Sequence, residues 1–112
     1  MSKINSRKKG VVYEQKIARE MRDLGFRDCV TSRAESKNLD DAGVDLCYTD
    51  PFNIQLKAVE RFGTHHEVLR SMPNDSNINV VFHKRNNKGT VVMMTKDDFY
   101  ALITGYMGFL LD

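Results

Sequence analysis

The segment Ile54-Gln55-Leu56-Lys57-Ala58 alternates apolar and polar residues without a break, which limits it to a β-strand. Successive strand side chains point to opposite faces, so Ile54, Leu56 and Ala58 share one face and Gln55 and Lys57 the other. An ordinary half-buried strand could do without an amide and an ammonium side by side. Upstream, Gly43-Val44-Asp45-Leu46 counts the same way, with Val44 and Leu46 on one side and Asp45 on the other. A tight turn through Asp50-Pro51-Phe52-Asn53 would pair the two strands antiparallel. An acid, an amide oxygen and an ammonium would then converge on one surface.

A second constraint comes from the helix expected over Arg7 to Leu24. Laid out at about 100° per residue with Glu14 at the origin, Met21 and Ala18 fall within about 40° of it, and Val11, Ile17, Leu24 and Tyr13 within about 100°. Glu14 therefore sits in the middle of the apolar stripe, while Lys16, Arg19, Glu20 and Asp23 lie on or toward the opposite side. A carboxylate facing a core needs a cation or hydrogen-bond donors, because an unpaired buried charge neutralises itself instead. A bound metal ion would supply that cation.

The remaining pattern describes one domain spanning residues 1–112, with residues 1–9 as a flexible basic arm. With 112 residues, 41% of them hydrophobic, the chain is small but able to bury a core. Gly25 is placed to cap the first helix, Phe26 to Ser32 reads as a short strand, and Arg33 to Ala42 as a polar loop. Strands are expected at Val44 to Tyr48, Asn53 to Glu60, Ile78 to His83 and Thr90 to Met94. The last two are joined by a turn through Asn86-Asn87-Lys88-Gly89. Gly63-Thr64-His65-His66 breaks the pattern, Glu67 to Met72 is a helical turn, and Thr95 caps a final helix ending at Gly105. This order predicts an α/β sandwich: a central mixed β-sheet flanked by helices.

The net charge of +2 is too small to imply nucleic acid alone, but its distribution says more. Lys3, Arg7, Lys8 and Lys9 precede the first acid and could neutralise backbone phosphates. Cys29 and Cys47 lack metal-ligand spacing and read as packing residues. Adjacent His65 and His66 diverge, which favours solvation or DNA contact over metal ligation. No apolar run could span a bilayer, and Met1-Ser2-Lys3-Ile4-Asn5-Ser6 is polar rather than a secretory leader, so the expected location is cytoplasmic, with no membrane partner. The tail Tyr106-Met107-Gly108-Phe109-Leu110-Leu111 is unusually apolar for a terminus and should pack on its own core or on another subunit.

A helix Glu, then an Asp, then a (Glu/Gln)-x-Lys strand resembles the PD-(D/E)XK nuclease superfamily. The nearest likeness is to small archaeal-type and phage-type Holliday junction resolvases. The resemblance runs through Lys9-Gly10-Val11-Val12-Tyr13-Glu14, Met21-Arg22-Asp23-Leu24-Gly25-Phe26, Thr31-Ser32-Arg33, Gly43-Val44-Asp45 and Gln55-Leu56-Lys57, so it covers roughly the first half of the chain. It implies a restriction-endonuclease-like core in α-β-β-β-α order, a homodimer, and hydrolysis of phosphodiester bonds in four-way DNA junctions. It also implies that Glu14, Asp45, the Gln55 side-chain oxygen and the Leu56 carbonyl hold Mg²⁺ or Mn²⁺, with Lys57 orienting water or stabilising charge. Ser32 and Arg33 would contact phosphate.

One departure is that Gln55 stands where the superfamily usually carries an acid. An amide oxygen can ligate a hard cation but brings no charge, so the ion would be held less tightly. The site is therefore either a working one with weaker metal binding or one that keeps only the fold; Glu35, Asp40, Asp41 and Glu60 are nearby acids that could compensate. Three functions follow: a junction resolvase, another nuclease of the same fold in repair, restriction or packaging, or a binding protein that has lost the chemistry.

Overall fold

A computed structural model describes residues 2–61 and 64–111, with side chains described for 7–61 and 64–108. Helix α1 (Ser2–Leu24) takes in residues 2–9, the segment expected as an arm. Its end is set by Gly25 at φ +125, where the Gly25 N–H donates to Arg22 O at 3.1 Å and the Phe26 N–H to Met21 O at 3.0 Å. This is the paired bonding of a Schellman cap, and Phe26 folds back onto the cluster containing Met21. Tyr13, Ile17, Ala18 and Met21 are buried as the stripe predicts, whereas Leu24, expected in the stripe, is 77% exposed beside the cap.

The strand expected over residues 26–32 shortens to β1 (Val30–Thr31). The loop expected over Arg33 to Ala42 is instead two short helices, α2 (Ser32–Glu35) and α3 (Lys37–Asp41). Ser36 divides them: its backbone is extended, its N–H donates to Ser32 O, and its Oγ accepts the Leu39 N–H at 3.3 Å. One residue thus ends α2 and caps α3. Strand β2 is only Leu46–Cys47, bounded by Gly43 at φ +80 and Tyr48 at φ +62, and it pairs antiparallel with β1. The expected ladder between β2 and its successor β3 (Phe52–Lys57) is absent from the sheets described.

The main sheet has the order β3-β4-β5 and is mixed. Strand β3 runs parallel to β4 (Ile78–Arg85), and the crossover contains α4 (His65–Ser71), which Thr64 caps through Glu67 N–H; Gly63 lies outside the described residues. Both His65 and His66 fall in the first turn of α4 rather than in a loop. Strand β5 (Gly89–Met93) returns antiparallel after a turn in which Asn87 and Gly89 take positive φ. Thr95 accepts the Asp98 N–H at 3.1 Å and opens α5 (Lys96–Leu111). That helix passes through Gly105, which has no positive φ and so gives no stop signal.

The fold is thus mixed α/β, with a three-stranded mixed sheet flanked by helices; α2 and α3 interrupt the expected order, and α4 covers most of the helical turn expected at Glu67 to Met72. The core joins Tyr13, Ile17, Ala18 and Met21 of α1 to Cys29, Leu46, Ile54 and Leu56. Each large aliphatic side chain buried there contributes on the order of 1.5–3 kcal/mol. Cys29 and Cys47 are both buried free thiols, packed as expected. No described helix is long and apolar enough to cross a membrane.

Candidate functional site

The alternation of β3 is realised: Ile54 and Leu56 are buried against α1, and Gln55 and Lys57 take the opposite, half-buried face. Asp45 precedes β2 between buried Val44 and Leu46. Its N–H donates to Ile54 O at 2.8 Å, and its Oδ2 accepts the Leu56 N–H at 2.7 Å. The carboxylate therefore takes the place of a backbone acceptor at the edge of β3, which holds it beside Gln55 and Lys57 without a ladder. Leu56 enters the site through this N–H. Gly43 lets the backbone pass close to Gln55, whose Nε2 would lie 3.5 Å from a Cβ at that position.

Glu14 reaches the same region from α1 and is 9% exposed, an acid in the apolar stripe as the helical spacing predicts. Its partner is Arg33, whose Nε and Nη2 donate to Oε1 and Oε2, each at 3.2 Å. Burial foremost, and then the Glu14 charge, push the Asp45 carboxyl up to about 6, against the pull of the Leu56 N–H and Lys57. Glu14 and Lys57 thus lie near enough to act on Asp45 from opposite sides in charge.

The four acids that could compensate for Gln55 are distributed differently. Only Asp40 acts on Asp45. Asp41 pairs with Lys37, Glu60 accepts the Asn86 N–H and pairs with Arg85, and Glu35 accepts from Tyr48 Oη. Among the described residues no three His, Cys, Asp or Glu side chains form a metal-holding group. The site offers two carboxylates and one amide oxygen. Gln55 Oε1 is buried without a hydrogen-bond partner, and an orphaned acceptor next in the chain to Leu56, whose N–H holds Asp45, suits a hard cation.

Ser32, expected at a phosphate, is fully buried; its N–H donates to Asp45 O at 2.8 Å and its Oγ has no partner. At the start of α2 it supports Asp45 through that backbone bond, and Arg33 is the residue of the pair at the surface. Arg7, Lys8 and Lys9 are exposed, with Lys9 Nζ donating to Asn86 Oδ1 at 2.7 Å; the Lys3 side chain lies outside the described residues. His83, not among the expected site residues, pairs with Lys57 across the sheet, and its Nε2 lies 2.7 Å from Val59 O. The alternation Val81-His83-Arg85 was its signal. Scans against protein-family models, curated proteins and solved structures find no match to this chain.

Proposed function

We propose that this chain is a metal-dependent, structure-selective DNA endonuclease of the PD-(D/E)XK superfamily, with a restriction-endonuclease-like core and four-way junctions as its substrate. The observation that carries this reading is the convergence on Asp45 of a helix carboxylate, Glu14, and a strand lysine, Lys57, beside an unpartnered amide oxygen. A buried acid raised by desolvation with a specific charge partner is a functional-site candidate.

Asp45, Glu14, Gln55 Oε1 and the Leu56 carbonyl are the groups that would hold Mg²⁺ or Mn²⁺. The chemistry such an ion supplies when bound is polarisation of a phosphate oxygen and a lowered pKa for water. Lys57 stabilises the negative charge developing on the phosphate or orients the attacking water. Asp45 must be ionised to serve as a ligand. Arg33 neutralises Glu14 in the free protein and is exposed enough to turn to a DNA phosphate instead. The reading extends to a cytoplasmic homodimer, since two opposed strands of a junction need symmetrical cuts. Exposed apolar residues on α5 support self-association.

Arg33 on Glu14 and an uncharged Gln55 also favour a second reading: a DNA-binding member of the fold without chemistry. Cleavage of a labelled junction beside linear duplex, single strand and flap, in Mg²⁺, Mn²⁺ or EDTA, separates them. Paired nicks confined to the junction and lost in EDTA support the resolvase. Broad metal-dependent cutting supports another nuclease, and binding without cleavage supports the second reading.

A further inference from the structure

Paired residues in a parallel ladder put their side chains on the same face, so the pairs Gln55–Val81 and Lys57–His83 extend the site's face across β4. Arg85 follows His83 on that face, about 6.6 Å further along the strand. Here the surface opens into a concavity of about 530 Å³ lined by Arg61, His65, His83, Arg85, Lys88 and Val91. Its cations come from separate stretches of chain: Arg61 after β3, Arg85 at the end of β4, and Lys88 in the turn. Lys9 of α1 joins them through Asn86 in the same turn.

Glu60 is the acid in this wall, and its charge is already engaged. One oxygen accepts the Asn86 N–H at 2.6 Å and the other lies 3.7 Å from Arg85 Nε. The Asn86 N–H foremost, then Arg85, Lys9 and His83, hold its carboxyl below the usual range. Arg61 and Lys88 are exposed and add positive charge that Glu60 does not offset.

We propose that this concavity is a second DNA-backbone site, in which Arg61, Arg85 and Lys88 grip phosphates of the strand whose scissile phosphate lies at Asp45 and Lys57. This rests on the nuclease reading and adds to it where the substrate runs. Arg85 stands about 8 Å from Lys57 by strand geometry, and at 3.4 Å of axis per nucleotide that is about two nucleotides away. The contacts are to phosphate, so they position the substrate and read no sequence.

The test is an anisotropy titration in EDTA of a labelled four-way junction, at several salt concentrations between roughly 50 and 200 mM. It compares the unaltered chain, the Arg61→Ala/Lys88→Ala double variant, and Lys16→Ala on the outward side of α1 as a control. The double variant should bind about tenfold more weakly at the middle of that range. The slope of log affinity against log salt should flatten by up to about 1.8, or 0.9 for each phosphate the variant no longer neutralises. Lys16→Ala should match the unaltered chain. Binding and slope equal to the unaltered chain's, or a loss of affinity with no change in slope, would overturn the second site while leaving the nuclease reading intact. An unaltered chain that binds no DNA would overturn both.

Discussion

Arg33 and Glu14, nineteen residues apart, meet through two hydrogen bonds of 3.2 Å each, with the carboxylate side chain 12% exposed and the guanidinium 45%. The guanidinium thus covers the acid that the nuclease reading assigns to a metal. Removing it leaves a nearly buried carboxylate close to a second one. Breaking a fully buried pair this way costs about 3–5 kcal/mol, and the exposure of Arg33 reduces the expectation to about 1–3 kcal/mol. Arg33→Ala should therefore melt lower than the unaltered chain in EDTA and gain more from added Mg²⁺. Thermal melts with and without the ion check both parts.

Asp45 gives a pH signature. Its carboxyl is raised to about 6 in the fold, chiefly by burial, from an ordinary value near 3.8. Between those values the unfolded chain has released the proton and the folded chain has kept it. Asp45 therefore contributes stability below about pH 4 that is lost as pH rises through about 6, on the order of 3 kcal/mol in full. Asp45→Asn keeps an acceptor for the Leu56 N–H and removes the charge. In EDTA it should be more stable than the unaltered chain at pH 8 and lose that advantage by pH 4, as read by denaturant melts.

Gln55→Glu places the superfamily's usual acid beside Asp45 and Gly43. A third carboxylate should destabilise the metal-free chain at neutral pH through repulsion and burial. It should also bind Mn²⁺ more tightly, by about tenfold for a modest 1.4 kcal/mol of added attraction. Calorimetric titration with Mn²⁺ reads this directly, and unchanged affinity would remove Gln55 from the ligand set.

The strand side of the site was legible because it depends on a period of two: Gln55 and Lys57 share a face whatever surrounds them. Glu14 was legible because a period of 3.6 put an acid among residues that must be buried. Arg33 on Glu14 was not, since it requires α2 to fold over α1, and α2 hides in a polar stretch where Ser36 ends one helix and caps the next. The role of Asp45 as a substitute backbone acceptor was also hidden, because it replaces the ladder that the turn signal implies. Burial of Ser32 follows from the same arrangement. Arg61, Arg85 and Lys88 converge only through the parallel crossover, which a count of charges along the chain does not report.

Helix α5 yields a prediction about assembly. Val92 and six residues of α5 (Phe99, Tyr100, Leu102, Ile103, Tyr106 and Met107) are 38–62% exposed. At roughly 200 Å² for a large apolar side chain, they leave on the order of 700 Å² uncovered, close to one partner's share of a standard interface. From Phe99 to Leu111 the helix carries no charge that would repel its copy. Sedimentation at micromolar concentration should show a dimer, and Ile103→Glu should shift it to monomer by placing a charge in the contact.

Single-turnover cleavage of a four-way junction in Mg²⁺ or Mn²⁺, comparing the unaltered chain with Lys57→Ala at saturating protein, tests the central claim most directly. The account predicts metal-dependent nicking by the unaltered chain and a loss of about 10²–10³-fold or more in the variant, with junction affinity retained. Cleavage by Lys57→Ala at the unaltered rate, or no cleavage by either protein in either metal, would contradict it.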